Sequence, residues 1–413
     1  MYFKRHLLPN IFFSLENSPA VLLVGPRQSG KTTVMTKISE ENGYEFVSFD
    51  GIANQAAALE DPVGFIDSKK KPIMLDEVQR VPQIFLPIKV DIDKHREING
   101  RYALTGSANP LLIPKLGDAL TGRMLLLQMW PLSQGEFIDV KESFLDRVFF
   151  DDFGPSKVIQ FSRQDLLKKV CLGGFPGMHL AKNERGRKAW CDSYLSLAMQ
   201  KDVQELAQIE GLSYMPKLLQ IAATRVGSTL NYSDLANTSG MPLTSLRRYI
   251  QLLHSLFLLH SIPAWSRNLG KRLTKAPKVY FVDTGVLLHT LDFDEQRLED
   301  TPSIFGGVAE NFVVNELCKQ ITWNDKKRVK IYYCRLSDNR SEVDIILEDE
   351  RGKVVGIEVK SGETPSKDDF KHFKQLKELV GDDFLRGVVL YSGKDKVPFG
   401  SGNWASPIGD LWA

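Results

Sequence analysis

The chain has 413 residues, 43% hydrophobic and 25% charged, an ordinary balance for a folded globular protein with room for about three domains. No apolar run approaches the roughly 20 residues that span a bilayer, and Met1-Tyr2-Phe3-Lys4-Arg5-His6 lacks the apolar stretch of a secretion signal. Net charge is only +2, so its distribution must decide whether nucleic acid is a partner, and Cys171, Cys191, Cys318 and Cys334 show no paired spacing. A cytoplasmic protein without membrane, zinc or disulfide chemistry is expected.

Ala20-Val21-Leu22-Leu23-Val24 is short, apolar and β-branched, and reads as a buried strand. Gly25-Pro26-Arg27-Gln28-Ser29-Gly30-Lys31-Thr32 follows, and Thr32 onward reads as a helix. A glycine-rich turn between strand and helix points backbone N–H groups at a triphosphate, and the helix start adds positive potential. Residues Gly25 to Thr33 are therefore expected to bind ATP or GTP, with Lys31 on the β- and γ-phosphates and the Thr32 hydroxyl on Mg2+.

A second strand, Lys71 to Leu75, ends in Asp76 and Glu77. One carboxylate can hold the metal and the other activate water, the division of labour that phosphate-ester hydrolysis needs. A third strand, Arg101 to Gly106, ends in Ser107-Ala108-Asn109, whose polar groups could sense the γ-phosphate. Leu120-Thr121-Gly122-Arg123 precedes the run Met124 to Met129. Arg123 is read as a candidate arginine finger acting on a neighbouring subunit, which would require a homo-oligomer.

Strands at intervals of about 30 residues predict an α/β fold with a doubly wound parallel sheet over residues 1–155. The ordered motifs resemble the AAA+ ATPases. Gly-Pro-Arg-Gln-Ser-Gly-Lys-Thr, Leu-Asp-Glu-Val-Gln and Leu-Thr-Gly-Ser resemble an initiator-like prokaryotic branch, whose C-terminal half is the region of unknown function DUF4143. The resemblance implies ATP hydrolysis with Glu77 as base.

From about residue 160 the pattern turns helical, and residues 156–212 are expected to form a lid over the nucleotide. Leu166, Leu167 and Val170 precede the loop Gly173-Gly174-Phe175-Pro176-Gly177, and a second amphipathic stretch runs from Arg187 to Leu206. Its aromatic residues Trp190 and Tyr194 read as core.

Residues 213–300 read as a winged helix. Ser233 is expected to cap a short helix, Ser239-Gly240-Met241-Pro242 to turn, and Leu243–Leu256 to be the recognition helix. Leu246, Ile250, Leu253 and Phe257 give its buried face; Thr244, Ser245, Arg247 and Arg248 could meet DNA in the major groove. Arg267, Lys271 and Arg272 lie in a basic wing that could contact phosphate. Branched or duplex DNA is the expected partner, with protein contact as the alternative use of the winged helix.

Residues 301–413 predict the order α-β-β-β-α-β. An amphipathic helix from Phe305 to Leu317 carries Glu310, strands carry Asp344 and Glu358-Val359-Lys360, and a helix over 367–379 precedes the strand Gly387 to Tyr391. Glu358 and Lys360 are two apart and share a strand face. This order resembles the PD-(D/E)XK nucleases of the restriction-endonuclease and junction-resolvase type. The resemblance implies a metal-dependent DNA nuclease in which Glu310, Asp344 and Glu358 hold Mg2+ or Mn2+ and Lys360 assists catalysis. A nuclease-like fold without cleavage, used for DNA docking or oligomerisation, is the alternative, as is a signalling switch.

Overall fold

The computed structural model of the chain describes residues 2–108, 122–150, 153–154, 159–199, 214–336 and 341–413. The expectations placed on Asn109, Leu120, Thr121 and the helix beyond residue 199 lie outside the described residues, as do the expected boundaries at 155 and 212.

Helix α1 (Leu8–Asn17) leads into β1 (Ala20–Val24), which is buried throughout. Helix α2 (Lys31–Asn42), β2 (Glu45–Ser48), β3 (Ile73–Asp76), α3 (Phe85–Lys94), β4 (Tyr102–Gly106) and β5 (Met124–Gln128) follow. The five strands form one sheet in the order β2-β3-β4-β1-β5, and every pairing is parallel. Strands β1, β3 and β4 are buried end to end, which explains their continuous rather than alternating apolar sequences. Strand β2 escaped the sequence reading because Glu45-Phe46-Val47-Ser48 is a half-exposed edge with no apolar run. A parallel sheet brings all its strand C-termini to one edge. Here that edge gathers the loop after Val24, Asp76 and Thr105.

Helix α4 (Gln134–Ile138) opens with a reciprocal cap between Ser133 and Glu136. Helices α5 (Arg163–Leu172) and α6 (Glu184–Leu197) form the expected helical region. Helices α7 (Tyr214–Ala223), α8 (Tyr232–Ser239) and α9 (Leu243–Ser255) precede an antiparallel pair, β6 (Leu259–Ile262) and β7 (Lys278–Phe281). Leu246, Ile250 and Leu253 are buried, as their spacing requires. Two details differ from expectation. Asn231, not Ser233, caps α8, its side chain accepting from the Asp234 amide. The segment expected to form the basic wing contains a short helix, α10 (Leu269–Thr274), started by Asn268.

Helix α11 (Pro302–Trp323) enters the C-terminal region, where every residue from Asn311 to Gln320 is buried. It was expected to be amphipathic, but it runs between the other parts of the molecule. The Asn311 side chain exchanges hydrogen bonds of 2.9 and 2.8 Å with the backbone of Phe281. Glu316 accepts from the Gln134 amide at 2.9 Å and from the Trp412 indole at 2.8 Å. Lys319 donates to the Leu132 carbonyl at 3.0 Å. The polar residues on this helix are thus satisfied by three separate segments.

Strands β8 (Lys330–Arg335), β9 (Glu342–Glu348) and β10 (Val354–Lys360), helix α12 (Lys371–Val380), and strands β11 (Phe384–Tyr391), β12 (Val397–Pro398) and β13 (Trp404–Pro407) follow. They form a mixed sheet in the order β12-β13-β11-β10-β9-β8. Strands β8, β9 and β10 form an antiparallel meander, and β11 joins β10 in parallel. The α-β-β-β-α-β order is present; β12 and β13 were too short to read. The wing hairpin lies against the outer strand: Trp265 N–H donates to the Tyr333 carbonyl at 2.6 Å and Tyr333 N–H to the Pro263 carbonyl at 3.1 Å.

Candidate functional site

The phosphate loop stands where the sequence placed it, between β1 and α2, with Gly30 in the left-handed region at φ 97° as the helix cap. A Cβ at Gly25 would sit 2.1 Å from the Met129 carbonyl oxygen, so only glycine fits there. Lys31 is buried, and its ammonium donates to the carbonyls of Gly25 and Pro26 at 2.9 and 2.8 Å. Arg5 holds the loop from behind: its guanidinium donates to the Ser29 carbonyl at 2.8 Å, to the Trp130 carbonyl at 2.6 Å and to Glu136 at 3.0 Å.

Thr32 Oγ1 donates to the Asp76 carboxylate at 3.1 Å. The hydroxyl and carboxylate that a phosphate-bound Mg2+ would need are therefore together before any ion arrives. Thr105 also donates to Asp76 and accepts from the Glu77 amide at 3.1 Å. Ser107 Oγ donates to Glu77 at 2.9 Å, and Gln79 donates to the other Glu77 oxygen. Burial pushes the Asp76 carboxyl above the ordinary range, with Glu77 adding to the effect against the hydrogen bond from Thr105. Burial also raises Glu77, but the Lys31 charge and the hydrogen bonds from Gln79 and Ser107 outweigh it and hold Glu77 below the ordinary range. The two acids are thus differentiated: Asp76 gains most from a cation, and Glu77 stays anionic.

Lys31, Thr32 and Glu77 open onto a cavity of about 450 Å³. One wall is Arg27, Gln28, Ser29, Gly30, Lys31, Thr32, Thr33 and Glu77; the other is Tyr2, Phe3, Leu132, Pro176, Leu180, Tyr194 and Leu197. The helical region therefore does border the nucleotide edge. Arg123 does not. It precedes β5, five residues before that edge, or about 16 Å along the strand, and its guanidinium pairs with Asp93 at 2.8 and 3.0 Å. It cannot reach the phosphate loop of its own chain.

In the C-terminal region the paired strands β9 and β10 do bring Asp344 beside Glu358-Val359-Lys360: Asp344 Oδ2 accepts from the Val359 amide at 3.0 Å. Lys360 donates to Glu358 at 3.0 Å, and His372 stands 3.3 Å from the other Glu358 oxygen. Glu310 is differently placed from the expectation. Its Oε1 accepts from Lys278 at 2.9 Å and from the Tyr280 hydroxyl at 2.6 Å. Lys278 also pairs with Glu342 at 2.8 Å and lies 3.9 Å from Asp344. Among the described residues, no three His, Cys, Asp or Glu side chains stand at a spacing that would hold a metal ion. Burial, with Glu310 and Glu358 nearby, pushes the Asp344 carboxyl well up. Burial also raises Glu310, partly offset by Lys278.

On α9, Thr244, Arg247 and Arg248 are exposed and Ser245 is half-buried, with Arg247 over the Tyr232 ring. Arg267 and Lys271 are exposed on the wing segment. Arg272 is not available to phosphate as expected. Its guanidinium pairs with both oxygens of Glu348 on β9 and lies over the Trp265 and Tyr332 rings. Part of the wing's charge thus fastens the hairpin to the C-terminal sheet.

Residues 17–138 match a family model described as an AAA domain. The front of the chain is an AAA domain. Residues 163–297 and 305–411 match two models described as domains of unknown function, DUF8612 and DUF4143. An uncharacterized protein of Mycobacterium tuberculosis is 27% identical over 396 residues, covering 96% of this chain and 81% of the relative. An uncharacterized protein of Methanocaldococcus jannaschii is 21% identical over 389 residues, covering 90% and 82%. Among solved structures, the Walker-type ATPase paby2304 of Pyrococcus abyssi gives a TM-score of 0.41 at 14% identity, over 70% of this chain and 96% of that one. AMPPCP-bound DnaA from Aquifex aeolicus gives 0.25 at 16% identity, over 59% and 86%. The assignment of the AAA domain rests on the family match and the loop geometry, not on these scores. No described helix is long and apolar enough to cross a membrane.

Several residues at or beside the cavity escaped the sequence reading. Tyr2, Phe3 and Arg5 precede the first motif and carry no pattern of their own. Tyr194 and Trp190 were read as core from their spacing. Tyr194 is buried but lines the cavity, and the Trp190 indole donates to Gln28 of the phosphate loop at 2.7 Å. The stacking of Trp190 on Tyr194, with ring centroids 5.2 Å apart, was the one readable signal, since both lie on a single helical face.

Proposed function

We propose that this protein is an ATP-hydrolysing switch that binds DNA through its winged helix. The observation that carries the first half is the contact with Asp76 of Thr32, which lines the cavity together with Lys31 and Glu77. Thr32 and Asp76 would hold Mg2+, which when bound neutralises phosphate charge. The loop amides from Gly25 to Thr33 and the Lys31 ammonium would bind the phosphates. Glu77, kept anionic and oriented by Ser107 and Gln79, would orient water and accept its proton. Tyr2, Phe3, Pro176, Leu180 and Tyr194 supply an apolar wall for the base. ATP hydrolysis by the wild type and its loss in Lys31→Ala test this; equal rates in the two would refute it.

DNA binding is supported by the exposed Thr244, Arg247 and Arg248 on α9 and Arg267 and Lys271 beside it. The relevant measurement is affinity for duplex and branched DNA against salt, which should fall steeply if phosphates are neutralised. Arg123 acting in trans in a homo-oligomer would have to leave Asp93. Mixing Arg123→Ala with Lys31→Ala chains and finding restored hydrolysis would support a shared site.

For the C-terminal domain the geometry favours DNA docking or assembly over cleavage, because the acids expected to hold Mg2+ or Mn2+ are engaged by the chain's own donors. The juxtaposition of Asp344, Glu358 and Lys360 is what supports a nuclease reading. DNA cleavage that is lost in Asp344→Ala would establish it.

A further inference from the structure

The cluster at Glu310, Glu342, Asp344 and Glu358 would be expected to draw a divalent ion, and it does not fit one. Each of the three expected ligands is engaged from within the chain. Glu310 Oε1 takes both the Lys278 ammonium and the Tyr280 hydroxyl. Asp344 Oδ2 takes the Val359 amide, and the Glu358 oxygens face Lys360 and His372. The decisive residue comes from another part of the chain. Lys278 opens β7 of the wing hairpin, in register with Ile262 and bridged to Thr229. Its side chain is 1% exposed. A buried ammonium persists only where anions surround it, and here Glu310 and Glu342 lie at 2.9 and 2.8 Å, with Asp344 at 3.9 Å.

Nor can Lys278 swing aside easily. Both strands of its hairpin are tied to the C-terminal sheet or to α11: Trp265 and Tyr333 pair through their backbones, Arg272 grips Glu348, and Asn311 brackets Phe281. The lysine is held among the carboxylates by the same contacts that dock the wing.

We propose that Lys278 is the resident cation of this cluster, occupying the space between Glu310 and Asp344 that a divalent ion would need, so that the site takes no metal while the wing is docked. The basic wing is then in part a plug and a fastener rather than a phosphate-binding arm. This inference stands independently of ATP hydrolysis and of DNA binding by α9.

The test is Mn2+ binding to the full chain without nucleotide, followed by calorimetry and by paramagnetic resonance of free Mn2+. Wild type and Asp344→Asn are expected to bind Mn2+ identically. Lys278→Met is expected to gain Mn2+ binding that disappears in Lys278→Met with Asp344→Asn, and Mn2+ should raise the melting temperature of the single variant alone. A wild-type Mn2+ site lost in Asp344→Asn would overturn the proposal, as would a folded Lys278→Met chain with no Asp344-dependent Mn2+. If Lys278→Met does not fold, the comparison of wild type with Asp344→Asn decides by itself.

Discussion

At the front of the chain, Lys31, Thr32 and Glu77 line a cavity of about 450 Å³ with Asp76 bonded to Thr32; toward the back, Glu310, Glu342 and Asp344 surround a buried lysine of the same chain, and Lys360 pairs with Glu358. Both sets join carboxylates to a lysine. They differ in what balances their charge. The front set leaves Asp76 raised by burial and paired to a hydroxyl, a poor counter-charge that a metal would improve. In the back set an ammonium of the chain itself already stands among the carboxylates, although burial and the neighbouring acids still raise Asp344. Residue types alone therefore do not define a metal site; the third dimension decides whether the cation is supplied by solvent or by the fold.

The largest expected effect bears on the back set. Lys278→Met leaves buried carboxylates without their cation and should lower unfolding stability by about 3–5 kcal/mol, read by denaturant titration; a loss under about 1 kcal/mol would show that the ammonium is not the counter-charge. At the front, Lys31→Ala should cut ATP turnover by about 100- to 1,000-fold, the usual cost of removing one donor to developing charge. Asp344→Ala should leave turnover unchanged.

A histidine stands at the joint between the two regions. His260 is half-buried edge-on to Trp130, with ring centroids 5.0 Å apart, and pairs with Asn315 of α11 at 2.8 Å. Burial lowers its pKa to about 4, against the hydrogen bond that its Nε2 donates to the Asn315 side-chain oxygen. A depressed histidine keeps its stability contribution above its unfolded value near 6.5 and loses it as pH falls toward the folded value. Acidification from pH 7 to 5 should therefore cost about 2 kcal/mol through this group. His260→Gln should flatten the pH dependence of the melting temperature in that window.

The smallest effect separates the two kinds of basic residue on the winged helix. Arg247→Ala should reduce the salt slope of DNA binding by about 1. Arg272→Ala should leave the slope unchanged and lower stability by about 2 kcal/mol, because its guanidinium serves Glu348. Equal slopes for both variants would mean that α9 does not meet phosphate.

The phosphate loop and Asp76-Glu77 were legible because each is contiguous and flanked by apolar strands, so local sequence carries the geometry. The hairpin that joins Asp344 to Glu358 was legible for the same reason: a short turn and period-two alternation fix which side chains share a face. Lys278 was not. In sequence it ends a run of basic residues and looks solvated; only the docking of β7 against α11 puts it among Glu310, Glu342 and Asp344. Arg272 misled in the same way. Helix α11 was read as amphipathic because its polar residues look like a solvent face, whereas Asn311, Asn315, Glu316, Lys319 and Gln320 are buried and hydrogen-bonded to distant segments. Long-range polar partners leave no local signature, and they account for most of what the sequence did not disclose.

The most direct test of the contrast between the two clusters is the number of Mn2+ ions bound per chain with a non-hydrolysable ATP analogue. One ion per chain is predicted, lost in Asp76→Asn and retained in Asp344→Asn. A second ion that disappears in Asp344→Asn would contradict the account.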